Sequence, residues 1–173
     1  MSRLIRFVFV CAVLSAGAAT VGIAYAPSLD VVHEYDEHSN TLVDVEYDDR
    51  SDRVYSLDED GTFVAYDIHN ETARAVNSFE AGHALTVGDG VVYVAARDTL
   101  WAYNVTAGEL QERADLAVHP PAIAYDDARG VVWVAGDGIV YGYDAVDGSQ
   151  YMTYRAHTDS IADIDANGDY VAT

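Results

Sequence analysis

From residue 28 onward, apolar and polar positions alternate in short runs separated by clusters of Asp, Gly and Asn. A period of two predicts strands, because successive side chains of a strand point to opposite faces of its sheet. The runs fall into groups of four: residues 42–47, 54–57, 62–67 and 73–79, then 84–87, 91–95, 100–105 and 110–116, then 122–125, 131–135, 139–144 and 150–155. Residues 161–164 and 170–173 start a fourth group. No amphipathic helical pattern of useful length interrupts them, so the expected class is all-β.

One phrase recurs in step with the groups. Asp60 to Tyr66-Asp67, Asp98 to Tyr103-Asn104 and Asp137 to Tyr143-Asp144 each join a turn residue to a short apolar strand that ends in Tyr and then Asp or Asn. The tyrosines recur after 37 and then 40 residues. A second marker is histidine: His38, His83, His119 and His157 each stand close to the start of a first strand, at spacings of 45, 36 and 38 residues. Along the third strands, Val64 and Tyr66, Trp101 and Tyr103, and Tyr141 and Tyr143 share one face. Phe63 and Ala65, Leu100 and Ala102, and Val140 and Gly142 share the other. Bulk on one face and a small residue near the end of the other suits stacked sheets.

The first 26 residues follow a different pattern. Arg3 and Arg6 precede an apolar run from Phe7 to Ala26, long enough for an apolar helix that spans a bilayer. The segment reads as a signal-anchor or signal peptide, with residues 27–173 on the far side of the membrane. Ala24-Tyr25-Ala26 is a small-x-small cleavage pattern, and Pro27 after it disfavours cleavage. The expected address is the cell membrane with the domain outside, or secretion if the signal is removed.

Charge narrows the partners. The chain has 29 acidic residues against nine basic ones, all Arg, and its formal net charge is −20. Such a surface repels nucleic acid, which needs clustered Lys and Arg. The half of the chain that is hydrophobic argues against a disordered acidic tail. An Asp excess without Lys resembles proteins of extreme halophiles, whose carboxylates are solvated and screened by salt. The single cysteine, Cys11, lies in the apolar run, so no intrachain disulfide or cysteine metal site is possible.

A His before a four-stranded unit and an aromatic-Asp pair closing its third strand resemble the WD40 repeat, with its Gly-His and Trp-Asp dipeptides. Gly82-His83 matches the first dipeptide, and Tyr66-Asp67, Tyr103-Asn104 and Tyr143-Asp144 stand where Trp-Asp would. The phrases from Tyr103 to Glu109 and from Tyr143 to Ser149 also look like the repeat of quinoprotein-type propellers. The resemblance implies a β-propeller of four-stranded antiparallel blades: about three full blades, part of a closing blade and part of a next one. It also implies a structural hydrogen-bonded set of His, a second-strand Ser or Thr, the turn Asp and the aromatic. Asp60, Asp98 and Asp137 would be the turn residues, and Ser56 fills the Ser position. Residues 28–38 read as the closing strand and its His. Three blades and a fragment fall short of a ring, so the remaining blades are expected in a longer chain or from another copy.

Candidate chemistry is sparse. Asp163, Asp165, Asn167 and Gly168 match the opening of a calcium loop, though a strand-to-strand turn explains them better. The four histidines fit a structural role in their own blades better than a metal ring. Asn70-Glu71-Thr72 and Asn104-Val105-Thr106 fit the N-glycosylation pattern. No catalytic constellation and no cofactor-binding phrase stands out. The expected function is therefore a non-catalytic, membrane-tethered scaffold for an unknown protein or small ligand. The alternative is the N-terminal fragment of a quinoprotein-type enzyme.

Overall fold

The structure, a computed structural model, describes residues 34–155 and 157–173. Three sheets of four antiparallel strands follow one another, each with its strands in chain order. The first contains β1 (Leu42–Asp48), β2 (Arg53–Asp58), β3 (Thr62–Asp67) and β4 (Thr72–Ser78). The second contains β5 (Gly82–Gly88), β6 (Val91–Ala96), β7 (Thr99–Asn104) and β8 (Glu109–Asp115). The third contains β9 (Ala122–Asp126), β10 (Val131–Gly136), β11 (Ile139–Asp144) and β12 (Gln150–Arg155). A two-stranded sheet, β13 (Asp165–Ala166) with β14 (Val171–Ala172), comes last. The first strands lie side by side, β1 against β5, β5 against β9 and β9 against β13. Each meander is therefore a blade, with its first strand inside and its fourth strand, the most exposed, outside.

Register confirms the repeat residue by residue. Tyr66 pairs with Val54, Tyr103 with Val92 and Tyr143 with Val132, so the three tyrosines hold one position in three blades. Each is buried. The blades stack through the two faces read from the alternation. Phe63 of the first blade packs with Leu85, Val92, Val94 and Tyr103 of the second. Leu100 and Ala102 of the second pack with Val132, Val134 and Tyr143 of the third. Burial of each large apolar side chain contributes about 1.5–3 kcal/mol, and these clusters are shared between sheets, so a blade's stability depends on its neighbour. The small residue before Tyr143 has a steric cause: a Cβ on Gly142 would come within 2.8 Å of Cζ3 of Trp133 on the paired strand.

Three expectations need correction or fall outside what is described. The strand expected at residues 161–164 does not form. Ile161 and Ile164 are buried against Trp133 and Val140, while the ladder begins at Asp165, where Val171 and Ala172 supply a partner. Residues 34–38, expected as the end of a closing strand, are not in a strand; side chains hold them instead, with Tyr35 lying 4.3 Å from Tyr66 between ring centroids. The apolar helix expected within residues 1–26 lies outside the described residues. Among the described residues there is no helix, and hence none long and apolar enough to cross a membrane.

Candidate functional site

The histidines expected to share one role occupy three different places. His38 precedes β1 by four residues, His83 is the second residue of β5, and His119 lies three residues before β9. Only His38 forms the expected set. Its Nδ1 donates to Oδ2 of Asp58 at 3.1 Å, and its Nε2 lies 2.6 Å from the Ser56 hydroxyl oxygen. All three side chains are buried, and Tyr66 is buried on the next strand with its hydroxyl pKa pushed up to about 12 by burial. The carboxylate is that of Asp58, not of Asp60. Asp58 ends β2, and its Oδ1 also accepts the Thr62 N–H across the turn at 2.7 Å, whereas Asp60 is exposed at the tip. The positions equivalent to Asp58 are Ala96 and Gly136, and those equivalent to Ser56 are Val94 and Val134, so blades two and three offer a His no such partners.

Asp98 and Asp137 sit exposed in the matching turns of blades two and three, and Asp137 adopts a positive φ of 52°. His157 contacts the Thr173 hydroxyl through Nε2 at 2.7 Å. The residues of the calcium-like phrase do not converge. Asp163 accepts from the Ile164 N–H, Asp165 from the Ala166 N–H, and Asn167 from the N–H groups of Asp169 and Tyr170, which makes it the cap of the β13–β14 turn. Asn70 is exposed in the β3–β4 turn. Asn104 is also exposed, but its Oδ1 accepts from Thr106 and Ala107 and so caps its own turn.

The site that the sequence reading missed lies where the first-to-second-strand turns of three blades meet. A cavity of about 230 Å³ opens there, lined by residues 46–50 of blade one, Tyr47 among them, by Val87 to Asp89 of blade two, and by Tyr125 and Asp127 of blade three. Asp48 ends β1 and caps its turn, accepting from the Arg50 N–H and the Ser51 hydroxyl. In blade three Asp126 holds the same position, fully buried, with Arg129 and the Trp133 indole N–H as donors. Blade two has Gly88 there, and the Tyr125 ring occupies the space that a side chain would need. That ring stacks on Tyr93 at 5.5 Å, and its hydroxyl donates to Oδ2 of Asp89 at 2.7 Å. Arg50 donates to the other oxygen of Asp89 at 2.8 Å. One carboxylate thus ties three blades together. The repeated Tyr-Asp-Asp of residues 47–49 and 125–127 was a legible sign of this turn.

The cavity is anionic. Its five carboxylates face one guanidinium, and Arg50 is already engaged by Asp89, whose pKa it lowers. Burial, with the nearby charge of Asp44 adding to it, pushes the Glu46 carboxyl up to about 7. Asp44 is raised as well, chiefly by burial, although it accepts the Leu85 N–H at 2.8 Å. Among the described residues no cation offsets the desolvation of these carboxyls.

No family model and no curated protein matches the chain. Solved structures do. The structure of U3-55K aligns with a TM-score of 0.68 at 10% identity, over 75% of this chain and 44% of that one. The RRP9 WD40 repeats align at 0.66 and 9% identity, over 75% and 43%. A chain of the Mitotic Checkpoint Complex aligns at 0.63 and 12% identity, over 75% and 42%. The chain thus spans less than half the length of these three chains. At these identities the likeness speaks for the fold alone, and with the repeated register and the shared inter-blade clusters it establishes that the described residues have the fold of WD40-type β-propeller blades.

Proposed function

We propose that this chain is a non-catalytic protein-interaction scaffold, exported and tethered through residues 7–26, that engages a basic segment of a partner at the three-blade cavity. The observation that carries the reading is the cavity itself: walls from three blades, two tyrosines, and five carboxylates beside an Arg50 that is already paired with Asp89. A Lys or Arg side chain entering it would supply the missing positive charge and lie beside the rings of Tyr47 and Tyr125. WD40-type propellers found within assemblies such as the Mitotic Checkpoint Complex support a scaffold role. The quinoprotein-type alternative gains no support from the comparisons. The acidic surface suits a medium of strong salt, and in an exported protein Asn70 is the better placed of the two glycan acceptors.

The test is titration of the protein with N-acetyl-arginine amide and with its neutral isostere N-acetyl-citrulline amide, followed by amide NMR. Shifts confined to Gly88, Asp89 and their neighbours, seen with arginine and absent with citrulline, are expected. Equal responses to both, or arginine shifts spread over the whole acidic surface, would sink the assignment. Deletion of residues 1–26 is expected to release the domain from the membrane fraction.

A further inference from the structure

A second site stands apart from the acidic cavity, at the junction of the second and third blades. His83 and His119 are 36 residues apart in the chain, yet their ring centroids lie 5.2 Å apart at an interplanar angle of 49°. They meet because the connections into β5 and β9 run beside the β6–β7 turn, where Arg97 sits with a positive φ of 55°. Nδ1 of His119 lies 2.9 Å from the Arg97 carbonyl oxygen. A carbonyl only accepts, so this nitrogen carries the proton, and Nε2 is the ring nitrogen of His119 left for a further partner. Nε2 of His83 is buried and has no hydrogen-bond partner among the described residues. A buried polar nitrogen left in this state calls for an explanation.

We propose that His83 and His119 form a two-histidine site for a transition-metal ion of the Cu²⁺ or Zn²⁺ type, bound through Nε2 of each ring. The spacing fits: two imidazoles bound tetrahedrally to one ion at about 2.0–2.1 Å place their centroids about 5 Å apart. The hydrogen bond from Nδ1 of His119 to a backbone carbonyl is the arrangement that orients metal-binding histidines and fixes their tautomer. Exposure of His119 leaves a route for the ion. Among the described residues no group of three or more His, Cys, Asp and Glu is arranged to hold a metal, so water completes the coordination and the site is open. Imidazole selects borderline ions over the hard Ca²⁺ and Mg²⁺ that solvated carboxylates attract, which separates this site from the acidic surface.

The site is tested on the whole chain, freed of metal with a chelator and titrated with CuCl₂ in excess Mg²⁺ while calorimetry and electron paramagnetic resonance are recorded. One equivalent of Cu²⁺ with hyperfine structure from two equivalent nitrogens is expected, bound more tightly than Zn²⁺. His119→Ala, at an exposed ring whose loss leaves the core intact, is expected to weaken binding at least tenfold and remove one nitrogen. His83→Asn is expected to do the same, and His157→Ala to change neither quantity. Cu²⁺ affinity unaffected by His119→Ala, or a single-nitrogen spectrum in the unaltered chain, would show that the two rings merely pack together. His119→Ala decides the matter even if His83→Asn fails to fold. Because the acidic cavity shares no residue with this site, the metal result and the arginine titration stand or fall separately.

Discussion

A Cβ built on Gly88 would lie 1.8 Å from Cδ1 of Tyr125. The first residue ends β5 and the second sits near the end of β9, so a glycine in one blade makes room for an aromatic ring of the next. Gly88→Ala must displace that ring, together with its stack on Tyr93 and its hydrogen bond to Asp89. Overpacking of this kind costs about 1–3 kcal/mol. The measurement is the urea unfolding midpoint of Gly88→Ala, Tyr125→Ala and the double variant. Once Tyr125→Ala has removed the ring, Gly88→Ala is expected to add almost nothing; additive losses would disprove the steric coupling.

Glu46 makes the fold sensitive to pH in a defined direction. Its carboxyl is raised from 4.5 to about 7, first by burial and then by Asp44. Between those values the folded protein holds a proton that the unfolded chain has released, so this group's contribution to stability falls as pH rises through the window. Glu46→Gln removes the charge and is expected to stabilise the protein at pH 8 while having little effect at pH 4. Denaturant titrations of both proteins at the two pH values check this. An equal difference at both would show that Glu46 does not titrate there.

Tyr143 joins the third blade to Tyr93, Ala95 and Leu100 of the second. Tyr143→Ala leaves a cavity in that shared cluster and is expected to cost about 3–5 kcal/mol. Hydrogen exchange should then accelerate in β6 and β7 as well as in β11, since the lost contacts lie on both sides of the junction. Loosening confined to β11 would contradict a core shared between blades.

The architecture was legible because strands carry a period of two and the blade repeats it. Twelve runs with turns between them, a Tyr at a constant register and a bulky face opposite a small one all follow from local alternation. Asp67, Asn104 and Asp144, which close the repeated phrase, each cap the few residues that follow. The roles of the histidines were not legible. Four of them near first strands looked equivalent along the chain, but the connections between blades differ in length. A shift of a few residues moves the ring from a buried Ser-Asp pair at His38 to an inter-blade contact at His83.

What the amino-acid sequence determined by itself was therefore the blade: its four strands, its turns, and the side chains that face each neighbour, all set by interactions within about 40 residues. What only the tertiary structure decided was which residues of different blades meet. Arg50, Asp89 and Tyr125 come together around a cavity, and His83 reaches His119, because stacked sheets bring turns of separate repeats into contact. No periodicity encodes such encounters. They depend on the lengths of the connections and on how one packed face seats the next.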